Sequence, residues 1–187
     1  MKFKTKDMIL VSIFSALMIV GAFLRIPFPI LPITLQPFFC ALAGILLGSR
    51  LALLSQLVYI ALGLAGLPVF SQGGGISYVL NPTFGFLLGF ALSAFVIGKI
   101  LELHKAINFS NLLISLFAGL VTIYTLGIPY MYLILGLYMK KPGVTAWYIL
   151  STNIPYIIKD LVLYAVIAIA VVSAIPAIRK AGLTGVH

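Results

Sequence analysis

Residues 154–175 read IPYIIKDLVLYAVIAIAVVSAI, twenty-two positions whose only charged side chains are the neighbours Lys159 and Asp160. A helix rises about 1.5 Å per residue, and roughly 20 residues cross a hydrocarbon core of about 30 Å. The run is therefore read as a transmembrane span. A carboxylate at mid-span costs about 2.5–3.5 kcal/mol on insertion scales, and less toward the interface. Asp160 must then be answered by something, either a structural partner or a ligand. Lys159 adjoins it but points about 100° away around the helix, so the two are not expected to face each other.

Working outward, five further apolar runs occupy residues 8–24, 34–48, 51–67, 83–101 and 112–126. The chain is 63% hydrophobic and 8% charged, far from the quarter of charged residues typical of a soluble domain. The spacing of the runs leaves no room for a separate globular unit. The expected fold is an all-α integral membrane protein, one domain over residues 1–187 with six transmembrane helices. The first run, preceded by Lys2, Lys4 and Lys6, is followed by Arg25 and Pro27 rather than by a small-residue cleavage site, and is read as an uncleaved span.

The net charge of +9 reflects scarce acids, because only Asp7, Glu102 and Asp160 offset twelve Lys and Arg. These bases sit at the ends of apolar runs, where they orient spans, and not on one clustered face as nucleic-acid binding requires. With six spans, Lys2, Lys4, Lys6, Arg50, Lys99, Lys105, Arg179 and Lys180 share one side and Arg25, Lys140 and Lys141 the other. The richer side, holding both termini, is expected to be cytoplasmic. Three irregular segments then lie outside: residues 25–33, residues 69–82, and the region before the last span. Non-helical backbone at membrane depth persists where it lines a cavity or is buried in protein, so a ligand cavity is expected near the outer face.

Thr34, Gln36, Asn81, Thr83 and Asn153 stand at outer helix ends. Thr and Asn are good helix caps, whereas Gln36 is a poor one and has the better claim to a cavity role. The triplet at 73–75 frees backbone for close approach, with a flexible linker as the plain alternative. Residues 129–153 could extend helices or fold back as a lid. Ser12 and Ala16 are small residues four apart on the first span, a spacing that suits helix packing or a partner subunit. Cys40 lies alone in an apolar run as a small packing residue. Enzyme readings fail. There is no phosphate-cradling G-x-x-x-x-G-K-[ST], no G-x-S-x-G elbow and no second intramembrane acid. His104 and His187 have no Cys or acid cluster with which to hold a metal, and no cofactor is expected.

The motifs PITLQ at 32–36, GLAGLPVF at 63–70, GGG at 73–75 and PTFGFLLGF at 82–90 occur in this order, followed by PYIIKD at 155–160. Together they resemble the BioY family. The resemblance implies the substrate-binding S component of an energy-coupling factor (ECF) transporter, a type of ABC transporter. Such a protein takes up biotin with high affinity through a multi-pass subunit of the prokaryotic plasma membrane. Its implied partners are a transmembrane coupling protein, docked at Ser12 and Ala16, and two cytoplasmic ATPases. Biotin's ureido ring would meet Asp160 with Asn81 or Gln36, and its apolar ring would meet Phe70, Tyr78 and Trp147. Its carboxylate would meet Lys159, Arg25 or the amides of Gly74 and Gly75. Thr34 and Asn153 complete the expected contacts. The chain departs from the family pattern at Leu163, where Lys is usual, and at Lys159, Asn81 and Phe84, where Gly is usual. A self-sufficient transporter that needs no coupling subunits is the alternative, and a ligand-free scaffold protein the third reading.

Overall fold

The computed structural model describes residues 4–28, 32–104 and 108–180, with backbone only for 175–180. Of the orienting bases, Lys2 and Lys105 lie outside the described residues, as does His187. The elements in order are α1 (Thr5–Phe23), β1 (Arg25–Ile26), β2 (Ile33–Thr34), α2 (Gln36–Leu64), a 3₁₀ turn (Ile76–Leu80), α3 (Phe84–His104), α4 (Phe109–Tyr132) with a π-helical extension (Leu133–Tyr138), and α5 (Ala146–Lys180). Among the described residues, five helices are long and apolar enough to cross a membrane. The two short strands pair antiparallel, Arg25 opposite Thr34 and Ile26 opposite Ile33, and close the α1–α2 connection.

α2 is a hairpin and not a single rod. Gly48 sits at φ 75°, ψ 174°, a conformation open in practice only to glycine. The Gln36 Nε2 amide donates to the Tyr59 hydroxyl at 3.0 Å. In an unbroken helix these residues would stand about 35 Å apart, so the two legs must fold back on each other. The turn is sealed from α3. The Glu102 carboxylate accepts from the Ser49 backbone N–H at 2.7 Å and from its hydroxyl at 2.8 Å, capping the second leg. Gly98 lets α3 approach so closely that a Cβ there would lie 2.6 Å from the Gly48 carbonyl carbon. Asp7 plays a similar part for α1, accepting from the Lys4 backbone N–H at 3.1 Å. Two of the three acids are thereby used as helix caps.

The helices pack in chain order, α1 on α2, α2 on α3, α3 on α4 and α4 on α5, with α5 also reaching back to α2. α3 is the most enclosed and α5 the least. Small residues explain the closeness at α3. A Cβ on Gly44 would fall 2.8 Å from Ile97, and one on Gly89 would fall 2.9 Å from the Ile123 carbonyl oxygen. Large apolar side chains such as Ile13, Leu92, Phe117 and Ile169 point outward, as they must if lipid is the solvent.

Several span boundaries differ from the sequence reading. The third run ends at Leu64, where Gly66 at φ 106° and Pro68 follow. The fifth begins at Phe109, because the Asn108 side chain caps it by accepting from the Asn111 N–H at 2.8 Å. Helix α4 runs through Pro129, and the wider turn after it ends where the Met139 N–H donates to the Ile134 carbonyl at 2.8 Å. Helix α5 starts at Ala146, eight residues before the expected span. Residues 129–153 are thus mostly absorbed into helices, leaving 139–145 as the link.

The turn makes two substitutions informative. Gly48→Ala should cost about 1–3 kcal/mol of stability through its forced backbone conformation. Gly98→Leu should cost about as much through overpacking against Ser49. Thermal unfolding of the detergent-solubilised protein measures both, and wild-type midpoints for the pair would rule out the tight α2–α3 turn.

Candidate functional site

Asp160, the remaining acid, lies on α5 and is only 3% exposed. Burial of an unanswered carboxylate is costly, and two groups answer this one. The Tyr124 hydroxyl of α4 donates to Oδ2 at 2.7 Å. The Lys159 ammonium forms an ion pair with Oδ1 and also donates to the Thr34 carbonyl oxygen at 3.2 Å. The expectation that Lys159 and Asp160 diverge is therefore corrected. Their Cβ directions differ by about 100°, but the long lysine stem curls back toward its neighbour. Oδ1 is thus held by the Lys159 ammonium.

Asn153, Tyr156 and Asp160 recur at spacings of three and four and so share a face of α5. Asn153 is 1% exposed, and its Nδ2 is tied to the Ile149 carbonyl at 2.8 Å. Its Oδ1 has no hydrogen-bond partner among the described residues. All three residues line a tight cavity of about 60 Å³. Its apolar wall is built by Phe86, Leu87 and Phe90 of α3, Ile123 of α4 and Tyr156. Its polar wall is built by Thr34, Gln36, Ser71, Thr83, Tyr124, Asn153, Lys159 and Asp160. Apolar walls with a few convergent polar groups are the usual make-up of a small-molecule site.

Five of the expected contacts meet here: Thr34, Gln36, Asn153, Lys159 and Asp160. Gln36 is largely committed already, since Nε2 bonds Tyr59 and Oε1 accepts from the Thr34 hydroxyl at 3.3 Å. Seven others are placed outside the cavity lining, among them Arg25, which is exposed on β1. Phe70 fills the space left by the missing side chain of Gly63 and packs against Tyr59 and Tyr78, with ring centroids 5.4 and 4.5 Å apart. The hydroxyls of Tyr78 and Thr83 bond each other at 2.9 Å. Asn81 Oδ1 accepts from the Thr83 N–H at 2.9 Å, and its Nδ2 donates to Gln72 at 2.9 Å. The Gly75 N–H is spent on the Gly63 carbonyl at 2.7 Å, and Gly74 is pressed against the Leu67 carbonyl. The glycine triplet thus folds the 65–83 loop onto itself and presents Ser71 and Thr83 inward. Trp147 is 73% exposed in the first turn of α5, because that helix begins early and turns the indole outward.

Ser71, Phe86, Phe90, Tyr124 and Tyr156 line the cavity without having been singled out in the sequence. A phenol in mid-span is a usable signal for Tyr124, but its meeting with Asp160 depends on α4–α5 packing that no local spacing reveals. Ser12 and Ala16 are exposed on α1, while Ser15 is turned inward, its hydroxyl donating to the Ser55 carbonyl at 2.7 Å.

The sequence profile of the BioY family matches residues 1–180. A probable biotin transporter BioY of Lysinibacillus sphaericus is 48% identical over 136 residues, covering 73% of this chain and 69% of that protein. The biotin transporter BioY of Thermotoga maritima is 44% identical over 124 residues, covering 66% and 72%. A crystal structure of the S-component for biotin from an ECF-type ABC transporter superposes with a TM-score of 0.77 at 24% identity, over 92% of this chain and 94% of that one. At that identity the likeness is one of fold.

Lys159→Met should destabilise the protein by up to about 3 kcal/mol, because it strands a buried carboxylate. Lys159→Met/Asp160→Leu should recover part of that loss. Chemical or thermal unfolding compares the two, and a double variant no more stable than the single one would argue against the pair.

Proposed function

The chain belongs to the BioY family, a family of transporters and not of enzymes, and from that premise we propose that it is the biotin-binding S component of an ECF-type transporter. The observation that carries this reading is a buried acceptor without a hydrogen-bond partner among the described residues, Asn153 Oδ1, facing the same cavity as Asp160, whose Oδ1 is held by the partly exposed Lys159. Biotin's ureido group brings two N–H donors to such acceptors, and its carbonyl would accept from the Ser71 hydroxyl. Phe86, Phe90 and Tyr156 suit its apolar ring. Its carboxylate gives the Lys159 ammonium a reason to leave Asp160. Binding then exchanges one set of charge contacts for another, so no charge is left unanswered in the membrane.

Counted as two spans, the legs of the α2 hairpin bring the total to six and put both termini on one side. The distribution of Lys and Arg makes that side cytoplasmic. The cavity then opens outward, in keeping with capture of a scarce vitamin from outside a prokaryotic plasma membrane. No phosphate-binding motif occurs in the chain. Inward release is assigned to a transmembrane coupling protein, docked on the exposed face of α1 at Ser12 and Ala16, and to two cytoplasmic ATPases.

Isothermal titration of the purified protein with biotin should show saturable binding at micromolar ligand or below. Asp160→Asn should weaken it at least about tenfold, as expected for a lost hydrogen bond to a charged acceptor. A folded sample that gives no heat would overturn the reading. Cells lacking every coupling subunit should take up little labelled biotin through this protein, whereas full uptake would make it a self-sufficient transporter.

A further inference from the structure

We propose that Tyr124 is a positioning residue that sets the hydrogen-bond polarity of the cavity and so selects ligands presenting N–H or O–H donors. The inference deepens the biotin reading and rests on it for the identity of the ligand. It starts from an asymmetry at Asp160. The carboxylate and its cation both sit on α5, and the third member comes from α4. Across that helix seam the Tyr124 hydroxyl reaches Oδ2 at 2.7 Å. A phenol facing a carboxylate can only donate, so Oδ2 is claimed and Oδ1, held by Lys159, is the oxygen open to exchange.

The phenol is held rigidly enough to enforce this. Its ring meets Phe86 of α3 edge to face, with centroids 5.9 Å apart and planes at 82°. Phe86 in turn occupies the space that a side chain at Gly127 would need. Without the hydroxyl, Oδ2 would turn to the Lys159 ammonium, which already touches Oδ1. Both oxygens would then be taken up by a cation on the same helix, and an incoming ligand would have to break the whole pair. With the hydroxyl in place, Lys159 holds one oxygen only, in a contact that a ligand N–H can replace. Tyr124 also lines an apolar furrow between α4 and α5, beside Phe117, Leu120 and Leu161, and Tyr124→Phe keeps the ring there while deleting the donor.

The test is a double-mutant cycle with biotin and with an analogue methylated on a ureido nitrogen. Tyr124→Phe should weaken biotin about tenfold, within the range for hydrogen bonds to charged groups. It should have no further effect in the Asp160→Asn background, because the hydroxyl acts through that carboxylate. The analogue, which forfeits a donor, should lose less than biotin does, so selectivity between the two should narrow. Infrared spectra of the ligand-free protein supply an independent arm: the carboxylate band assigned by Asp160→Asn should shift in Tyr124→Phe. Additive losses in the cycle, unchanged selectivity or an unmoved band would overturn the proposal. A wild-type protein that binds no biotin would sink the functional reading instead, and the infrared band would then decide the role of Tyr124 by itself.

Discussion

A carboxylate inside a membrane domain must be answered, and the arrangement around Asp160 shows how this chain does so without closing the site. One oxygen receives a hydroxyl from a neighbouring helix and the other meets an ammonium from the adjacent residue. A fully bonded ion pair would be a structural rivet. Here the cation is partly exposed, with 27% of its side chain accessible, and it also touches the backbone of the α1–α2 connection at Thr34. The charge is neutralised in the resting state by a group that can be drawn away.

The rest of the fold serves to hold that arrangement. The hairpin turn at Gly48 brings Gln36 beside Tyr59, and through these residues the α1–α2 connection is tied to the 65–83 loop, because the Tyr59 hydroxyl also reaches the Val69 carbonyl at 3.3 Å. The glycines of α3 let it sit between α2 and α4 at near-backbone contact, which places Phe86 and Phe90 along the cavity. Helix α5, the least enclosed span, carries Asn153, Tyr156, Lys159 and Asp160. A ligand that bridges α5 to the loops would supply packing that the α4–α5 seam does not provide alone.

Much of this was legible in the sequence. Hydropathy locates the apolar runs, and the break between the runs at 34–48 and 51–67 coincides with the turn at Gly48. The lone intramembrane acid was identified by elimination, and it does line a cavity. What could not be read was tertiary. The reach of the Lys159 stem overrode a helical-wheel argument based on Cβ directions. Tyr124 lies 36 positions from Asp160 with no motif joining them. The glycine triplet and Asn81 were judged by what glycine and asparagine can offer a ligand, whereas their hydrogen bonds are spent folding the loop that carries Ser71 and Thr83. Trp147 is expected against the ligand's apolar ring, whereas the early start of α5 turns it outward.

The central claim is that Asp160 exchanges its lysine partner for the donors of a bound vitamin. A crystal or cryo-electron-microscopy structure of the protein with biotin tests it most directly. The account predicts a ureido nitrogen within hydrogen-bond distance of Asp160 Oδ1, the Tyr124 hydroxyl still on Oδ2, and the Lys159 ammonium moved to the biotin carboxylate. Biotin lodged elsewhere, or seated in the cavity while Lys159 and Asp160 remain paired, would contradict it.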